Sequence, residues 1–368
     1  MMRDRSISEN QLCAAAFVLM LSPALRLFPS AAAESAGRSA PFAALLAFFP
    51  AAAYLYLACR AAALRREGEG LCALIARALP GRAGRAALGV LALWLLFYAG
   101  FVMRSGADRF IVTVYSDASA AFFVLTMAAA ALWAAFAPYR DAMRTAKLVL
   151  PAVGGVLALT LFSSLGKLRA ENLLPLRPQS AAGLLAGVLP GFDVLSWTVC
   201  AAAFALGEVK KDALSFPRLL AALALSCGVL ALLSLAVVGS FGAKLAASLS
   251  WPFFSLVRNL VFLRSVERVE ALVVALWVFP DFLIVSLFLR AAREALSLSL
   301  GRRLAALRRS RLALPLCAAL SSLFALLAAP DAAVLALLSR KLVPAANLFF
   351  ALVFFPLILL TGKRRGRL

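Results

Sequence analysis

V-L-P-G-F-D-V, residues 188–194, lies in the middle of an apolar stretch long enough to cross a bilayer. Pro190 lacks a backbone N–H and the glycine after it loosens a helix, so backbone polar groups are freed where no water can reach them. Asp193 adds an ionisable group at a depth where a charge costs at least about 2.5 kcal/mol, which marks a functional site by default. A second interruption, Ser22-Pro23, lies inside the first apolar stretch. Paired broken helices in the two halves of a chain are typical of transporter-like folds.

The composition is that of an integral membrane protein. Of the 368 residues, 64% are hydrophobic and 15% are charged, whereas soluble domains are roughly 45–50% apolar. The net charge of +21 is carried mainly by short loops between apolar runs. This distribution is typical of membrane topology and an arginine-rich coding bias, and it argues against nucleic-acid binding. The same basic loops are expected to attract anionic membrane lipid.

The sequence offers little for enzymatic chemistry. It contains no histidine, and its six cysteines are scattered without C-x-x-C spacing. Histidine metal sites and Ser-His-Asp triads are therefore excluded, and neither a G-x-S-x-G motif nor a Walker-type loop occurs. We expect a protein that is not an enzyme, with no catalytic residues, no metal and no cofactor.

Ten apolar runs are long enough to span a membrane, since about 18 or more apolar residues mark a spanning helix. They are residues 9–32, 42–60, 87–106, 119–138, 147–165, 182–207, 217–240, 268–290, 312–329 and 342–361. With the N-terminus inside, 25 of the 38 basic residues fall on the cytoplasmic side and 13 on the outer side. This asymmetry predicts that both termini are cytoplasmic.

Residues 241–267 are too charged to span the membrane and too apolar for an ordinary loop. They combine the aromatic sequence W-P-F-F, which begins at Trp251, with a charged end. We expect an amphipathic helix that lies on the outer surface as an external lid. A membrane-interface anchor is the alternative.

Interruptions in the first and sixth spans fit a five-plus-five inverted repeat. We predict one polytopic membrane domain over residues 1–368, with a first repeat over 1–166 and a second over 182–361. At a rise of about 1.5 Å per residue, Ser22 and Asp193 both fall near the membrane midplane. The predicted fold class is all-α integral membrane, with ten transmembrane helices.

Four motifs, taken in their order along the chain, carry a resemblance to a known family. They are I-S-E-N-Q at residues 7–11, A-G-R-S-A at 36–40, G-F-D at 191–193, and W-P-F-F-S-L-V-R-N-L followed by R-S-V-E-R-V-E-A-L-V-V-A-L-W over 251–277. In these motifs, and over essentially its whole length, the chain resembles the GerAB-type spore germination permeases.

The resemblance implies a LeuT-like fold of the amino acid/polyamine/cation transporter superfamily, with helices 1 and 6 broken. Members of this family are B-type subunits of germinant receptors in the spore inner membrane. The resemblance therefore implies that the chain binds a small nutrient such as an amino acid, and triggers germination together with A-type and C-type subunits. The chain departs from the family pattern at Ser22, where glycine is frequent near the break, and at Asp193, where glutamate is common.

The candidate ligand-binding residues lie at the two interruptions and in the third span. The carboxylate of the sixth span is expected to receive a ligand ammonium or a proton, or else to be a structural partner of freed backbone amides. The first interruption is expected to present amides to a ligand carboxylate, or else to be a simple proline kink. The tyrosine of the third span either closes the pocket or packs as a membrane aromatic. The predicted residues are Ser22, Pro23, Ala24, Tyr98, Gly191, Phe192 and Asp193.

A candidate ion-binding site lies in the eighth span, where Asp281 follows Pro280. In LeuT-like folds the first and eighth helices flank a cation site, so Asp281 with Ser286 is expected to hold a proton or Na⁺. The alternative is a charge that lines a cytoplasmic water cavity.

Three functions are compatible with two acids inside a membrane. The first is a germinant-sensing receptor subunit, and the second is a proton- or sodium-coupled amino-acid transporter. The third is an intramembrane protease that uses Asp193 and Asp281, but the Gly-x-Gly-Asp and Tyr-Asp settings expected for such an enzyme are missing from the sequence. The resemblance favours the first.

The predicted topology can be tested with single cysteines placed at Ser35 and at Arg365 in a variant that lacks the six native cysteines. Because the first span separates Ser35 from the cytoplasm, a membrane-impermeant thiol reagent should label the two positions from opposite sides. Labelling of both cysteines from the same side would contradict ten spans with cytoplasmic termini.

Overall fold

The computed structural model describes residues 6–26, 28–113, 117–174, 180–210, 213–259, 269–300 and 310–365. These residues form α-helices joined by short turns and 3₁₀ segments, with one isolated parallel bridge between Ile7 and Val209. The described part of the chain is thus all-α, as predicted.

The first half of the chain contributes nine helices to the described part. They are α1 Glu9–Arg26, α2 Phe28–Ala36, α3 Ala40–Leu46, α4 Phe48–Ala63, α5 Leu71–Ala78, α6 Arg82–Thr113, α7 Ala120–Ala135, α8 Tyr139–Ser164 and α9 Ala170–Leu173. The second half contributes α10 Ala181–Ala203, α11 Phe216–Phe241, α12 Ala243–Ser248, α13 Pro252–Arg258, α14 Val269–Ser299, α15 Ala313–Leu327, α16 Ala332–Leu337 and α17 Val343–Arg365. A π-helical turn, Leu338–Leu342, joins α16 to α17.

Each predicted span overlaps one of these helices or a consecutive pair of them. Within the described residues, six helical stretches are long and apolar enough to cross a membrane. The shorter apolar helices α7 and α15 coincide with the fourth and ninth predicted spans. The total of ten spans and the division into two repeats stay predictions.

The first span carries its predicted interruption residues inside a helix. Pro23 is inside α1, which continues to Arg26, and α2 begins at Phe28; the residue between them lies outside the described part. Pro23 is therefore a proline inside a helix, and the position of the interruption in this span stays a prediction.

The sixth span is not interrupted at Pro190. The helix α10 runs through this proline to Ala203 and then tightens into a 3₁₀ segment, Phe204–Glu208. Neighbouring helices support it there, which is how membrane helices tolerate an internal proline. A Cβ added at Gly187 would lie 2.5 Å from the Ala36 Cβ, so α10 touches the end of α2 closely.

The predicted lid contains two short helices, α12 and α13, and its residues 260–267 lie outside the described part. In α13 the residues Phe253 and Phe254 are buried, and both rings pack edge-on against the ring of Trp277. The described part of the lid is therefore packed down on the helix bundle through its aromatic side chains.

Close helix packing at Gly187 generates a stability prediction. We expect Gly187→Ala to lower the thermal unfolding temperature, since overpacking a tight contact costs about 1–3 kcal/mol. Gly228→Ala in α11 is the matched control, because no atom lies within 4 Å of the added Cβ. Equal unfolding temperatures for the two variants in detergent would contradict the close contact between α10 and α2.

Candidate ligand-binding site

A cavity of about 560 Å³ opens at the end of the bundle opposite to the start of α1. Its walls are formed by the region where α1 gives way to α2, and by parts of α6, α10, the lid and α16–α17. The lining is mainly apolar and includes five charged residues. These are Arg26, Glu34, Asp108, Asp193 and Arg340.

Asp193 lies in the wall of this cavity, next to Pro190. Its side chain is only 3% exposed, and its Oδ1 atom has no hydrogen-bond partner among the described residues. A buried carboxylate oxygen without a partner is costly. This oxygen is therefore positioned to accept a donor from outside the chain.

Gly191 and Phe192 face away from the cavity. A Cβ added at Gly191 would lie 2.9 Å from the Ala47 Cβ, and the Phe192 ring packs edge-on against Tyr54 at 6.2 Å. In this conformation these two residues pack α10 against the α3–α4 region, while Asp193 points to the other side.

The residues predicted at the first interruption line other parts of the core. Ser22 donates its hydroxyl to Asp281, and Ala24 is fully buried. Pro23 and Tyr98 line a separate void of about 10 Å³. Tyr98 packs against the rings of Trp197 and Phe288, at centroid distances of 5.6 and 5.4 Å, and its hydroxyl has no partner with hydrogen-bond geometry among the described residues.

The two oxygens of Asp281 are engaged by side chains from two other helices. Oδ1 accepts the Ser22 hydroxyl of α1, and Oδ2 accepts the Arg109 guanidinium of α6. All three residues are nearly inaccessible, with exposed fractions of 1% to 4%. A cation that binds Asp281 would therefore have to displace the guanidinium charge.

Ser286 is not brought to Asp281 in this conformation. It follows five residues later in α14, about 7.5 Å further along the helix axis. Its hydroxyl donates to the Leu283 carbonyl at 3.0 Å, which is a bond within its own helix.

Arg26, which the motif analysis did not single out, is the second buried charge in the cavity wall. It is 4% exposed, and its guanidinium carbon lies 4.6 Å from the centre of the Phe101 ring. Its Nε and Nη2 atoms have no hydrogen-bond partner among the described residues. A charged residue inside an apolar span is a functional candidate by default, and that signal was present in the sequence.

The lid forms part of the cavity wall through Trp251. Its indole Nε1 donates to Asp108 Oδ2 at 3.3 Å, and the other oxygen of Asp108 lies 3.8 Å from Arg104 Nη1. One helical turn away from Trp251, the ring of Phe254 lies 5.3 Å from the guanidinium carbon of Arg109. The lid therefore contacts both the cavity and the ion pair at Asp281.

Polar contacts close the opposite end of the bundle. The Ile7 amide donates to the Glu208 carbonyl at 2.8 Å, and Arg65 donates to the Val209 carbonyl at 3.0 Å. Glu9 forms an ion pair with Arg218 at 3.1 Å. These contacts tie the chain start and the segment after α4 to residues 208–218. They lie at the end of the bundle opposite to the cavity.

Comparison with known proteins identifies the family. The family model of spore germination proteins, the spore permeases, matches residues 6–330, so the chain belongs to this family. The resemblance inferred from the motifs is thereby confirmed. No curated protein matches the chain significantly.

Two solved structures show the fold. One is Mhp1, a nucleobase-cation-symport-1 family transporter in a closed conformation with bromovinylhydantoin bound. The similarity has a TM-score of 0.64 and 15% identity, and it covers 96% of this chain and 78% of Mhp1. The other is MhsT in complex with L-phenylalanine. This similarity has a TM-score of 0.58 and 13% identity, and it covers 98% of this chain and 100% of MhsT. The predicted LeuT-type fold is confirmed, and the family and fold are those of multi-pass membrane permeases.

The buried ion pair generates a second stability prediction. We expect Arg109→Gln to destabilise the protein by about 3–5 kcal/mol, because Asp281 would keep a buried charge without its counter-charge. Adding Asp281→Asn should recover part of this loss, since the second change removes the uncompensated charge.

Arg144→Gln is the control, since Arg144 pairs with Asp141 where both side chains are 40–45% exposed. Exposed pairs contribute about 0–1 kcal/mol. If denaturant unfolding in detergent showed the same small effect for Arg109→Gln and for Arg144→Gln, the buried pair would have no structural role.

Proposed function

We propose that this chain is the B-type subunit of a spore germinant receptor. In this proposal it lies in the spore inner membrane with both termini cytoplasmic, binds a small nutrient such as an amino acid, and triggers germination with A-type and C-type subunits. The observation that carries the proposal is the cavity of about 560 Å³, in whose wall Asp193 has a buried oxygen without a hydrogen-bond partner among the described residues.

The size and lining of the cavity support a small ligand. Its volume of about 560 Å³ lies within the range of roughly 300–1,000 Å³ typical of small-molecule pockets. The lining is mainly apolar with a few charged groups, which is the usual composition of such a site. The solved structures of similar fold hold small ligands as well, a bromovinylhydantoin in Mhp1 and L-phenylalanine in MhsT.

The closed end supports a sensing role. A ligand shifts a conformational equilibrium only by binding one state more tightly than another. The contacts of Ile7, Arg65 and Glu9 hold the end remote from the cavity closed. We infer that the nutrient changes the stability of this closed arrangement, and that partner subunits read the change on the cytoplasmic side.

The second candidate function is a proton- or sodium-coupled amino-acid transporter, which the fold favours. Within that function, Asp281 and Ser286 are the proposed ion site. Because Arg109 and Ser22 already engage both Asp281 oxygens, ion binding there would require rearrangement of the pair. Measuring nutrient uptake and germination in parallel separates the two functions.

The proposal is tested by deleting the gene and measuring spore germination over a panel of nutrients. We expect the response to at least one nutrient to be lost and to be restored by the wild-type gene. Unchanged responses to every nutrient, in spores that lack other receptors of this type, would contradict the receptor function.

A substitution tests the site itself. We expect Asp193→Asn to raise the half-saturating nutrient concentration about 30-fold or more, because truncating one partner of a buried charge pair costs about 2–5 kcal/mol. The matched control is Asp141→Asn, whose side chain is 45% exposed and does not line the cavity. If both variants reach the membrane at normal levels and respond like wild type, Asp193 is structural.

A further inference from the structure

Two buried groups of opposite charge line the same cavity and have no ion-pair partner among the described residues. Arg26 lies where α1 ends, and Asp193 lies in α10. The guanidinium leaves Nε and Nη2 without hydrogen-bond partners, and the carboxylate leaves Oδ1 without one. Both side chains are less than 5% exposed.

The other charged residues of the cavity wall have partners. Asp108 accepts from Trp251 and lies close to Arg104. Glu34 and Arg340 approach each other to 3.9 Å, and their side chains are 60% and 41% exposed, so water also solvates them. The favourable electrostatic neighbours of Arg26 are the Tyr98 hydroxyl and Asp281. An uncharged hydroxyl supplies no counter-charge, and Asp281 is already bound by Arg109. Arg26 and Asp193 are therefore the charged groups that a ligand would complement.

The chemistry of the ligand follows from these two charges. A buried charge without a counter-charge is strongly unfavourable, so a ligand that supplies both counter-charges relieves two costs at once. A cationic amine would satisfy Asp193 and leave Arg26 unpaired. A carboxylic acid would satisfy Arg26 and leave Asp193 unpaired. A molecule with a carboxylate and an ammonium close together satisfies both.

We propose that Arg26 is a ligand-binding residue of this cavity, whose guanidinium binds the carboxylate of an amino acid while the carboxylate of Asp193 binds its ammonium. This inference rests on the proposed function, and it adds a binding residue that selects ligands with a carboxylate. Apolar wall residues on α2, α10, α16 and α17 then surround the amino-acid side chain. They are Phe28, Val194, Leu335 and Leu348.

The guanidinium replaces the helix amides that the sequence suggested as the carboxylate site. Pro23 and Pro29 lie on either side of Arg26. Proline has no backbone N–H, so this part of the chain offers fewer amide donors to a carboxylate. Arginine presents a rigid fork of donors that matches a carboxylate in bidentate geometry.

The test uses the full-length chain in lipid nanodiscs and measures thermal stabilisation and binding by calorimetry. The probes are L-alanine, L-valine, L-leucine and L-phenylalanine, each with the amine and the carboxylic acid that carry the same side chain. We expect at least one amino acid to bind wild-type protein about tenfold or more tightly than either of its singly charged analogues. Comparable binding of an analogue and its amino acid would overturn the proposal, and so would the absence of binding by all four amino acids.

Two substitutions test which charged group of the ligand each residue binds. Arg26→Gln should weaken the amino acid about 30-fold or more, from a loss of about 2–5 kcal/mol, and leave the amine nearly unchanged. Asp193→Asn should weaken the amino acid and leave the acid nearly unchanged. Arg144→Gln is the control on the exposed surface. Unaltered amino-acid binding by Arg26→Gln would overturn the role of Arg26, and if that variant does not accumulate in the membrane, the analogue series on wild-type protein decides.

The spore experiment separates this inference from the proposed function. If deletion leaves germination unchanged while the binding pattern holds, the receptor function fails and the amino-acid site stands. If deletion abolishes a nutrient response but Arg26→Gln spores respond at the wild-type nutrient concentration, the receptor function stands and this inference falls.

Discussion

The ion pair between Arg109 and Asp281, completed by the Ser22 hydroxyl, joins three helices at one buried point. It connects α6, α14 and α1, which are far apart in sequence. In a bilayer the attraction between apolar side chains provides little specificity, because lipid tails are as apolar as the helices. Polar contacts therefore fix which helices meet, and breaking one partner leaves a charge that neither lipid nor water can solvate.

The cavity and the lid are arranged around this pair. Phe254 of the lid stacks over Arg109, while Trp251 of the same segment reaches Asp108 in the cavity wall. Arg26 interacts electrostatically with both members of the pair, favourably with Asp281 and unfavourably with Arg109. In the proposed binding mode, a ligand carboxylate on Arg26 would reduce its repulsion of Arg109 and would thereby couple ligand binding to the helix junction. The lid contacts both the cavity wall, at Asp108, and the ion pair, at Arg109.

Hydropathy predicted the helical segments because the length of a membrane helix is set by the thickness of the bilayer. The position of the first interruption stays a prediction, since Pro23 lies inside α1 and residue 27 lies outside the described part. The partner of Asp281 was not predictable either. Arg109 lies 172 positions away in the chain, and no local pattern encodes a pairing over that separation. Asp193 is conspicuous in the sequence because an acid inside an apolar run is rare. It lies buried in the cavity wall, and its role as a ligand-binding residue stays a prediction.

Arg26 belongs to none of the sequence motifs, and the count of basic residues on each side of the membrane includes it as a topological signal. An arginine in a loop does report topology. An arginine inside a span is instead a candidate functional residue, because a charge is costly there. The long arginine side chain normally extends to the membrane interface, but that of Arg26 is 4% exposed and packs over Phe101. A cation that does not reach water needs a counter-charge inside the protein. Because Asp281 is already paired with Arg109, we propose that a bound ligand supplies the negative charge that faces Arg26.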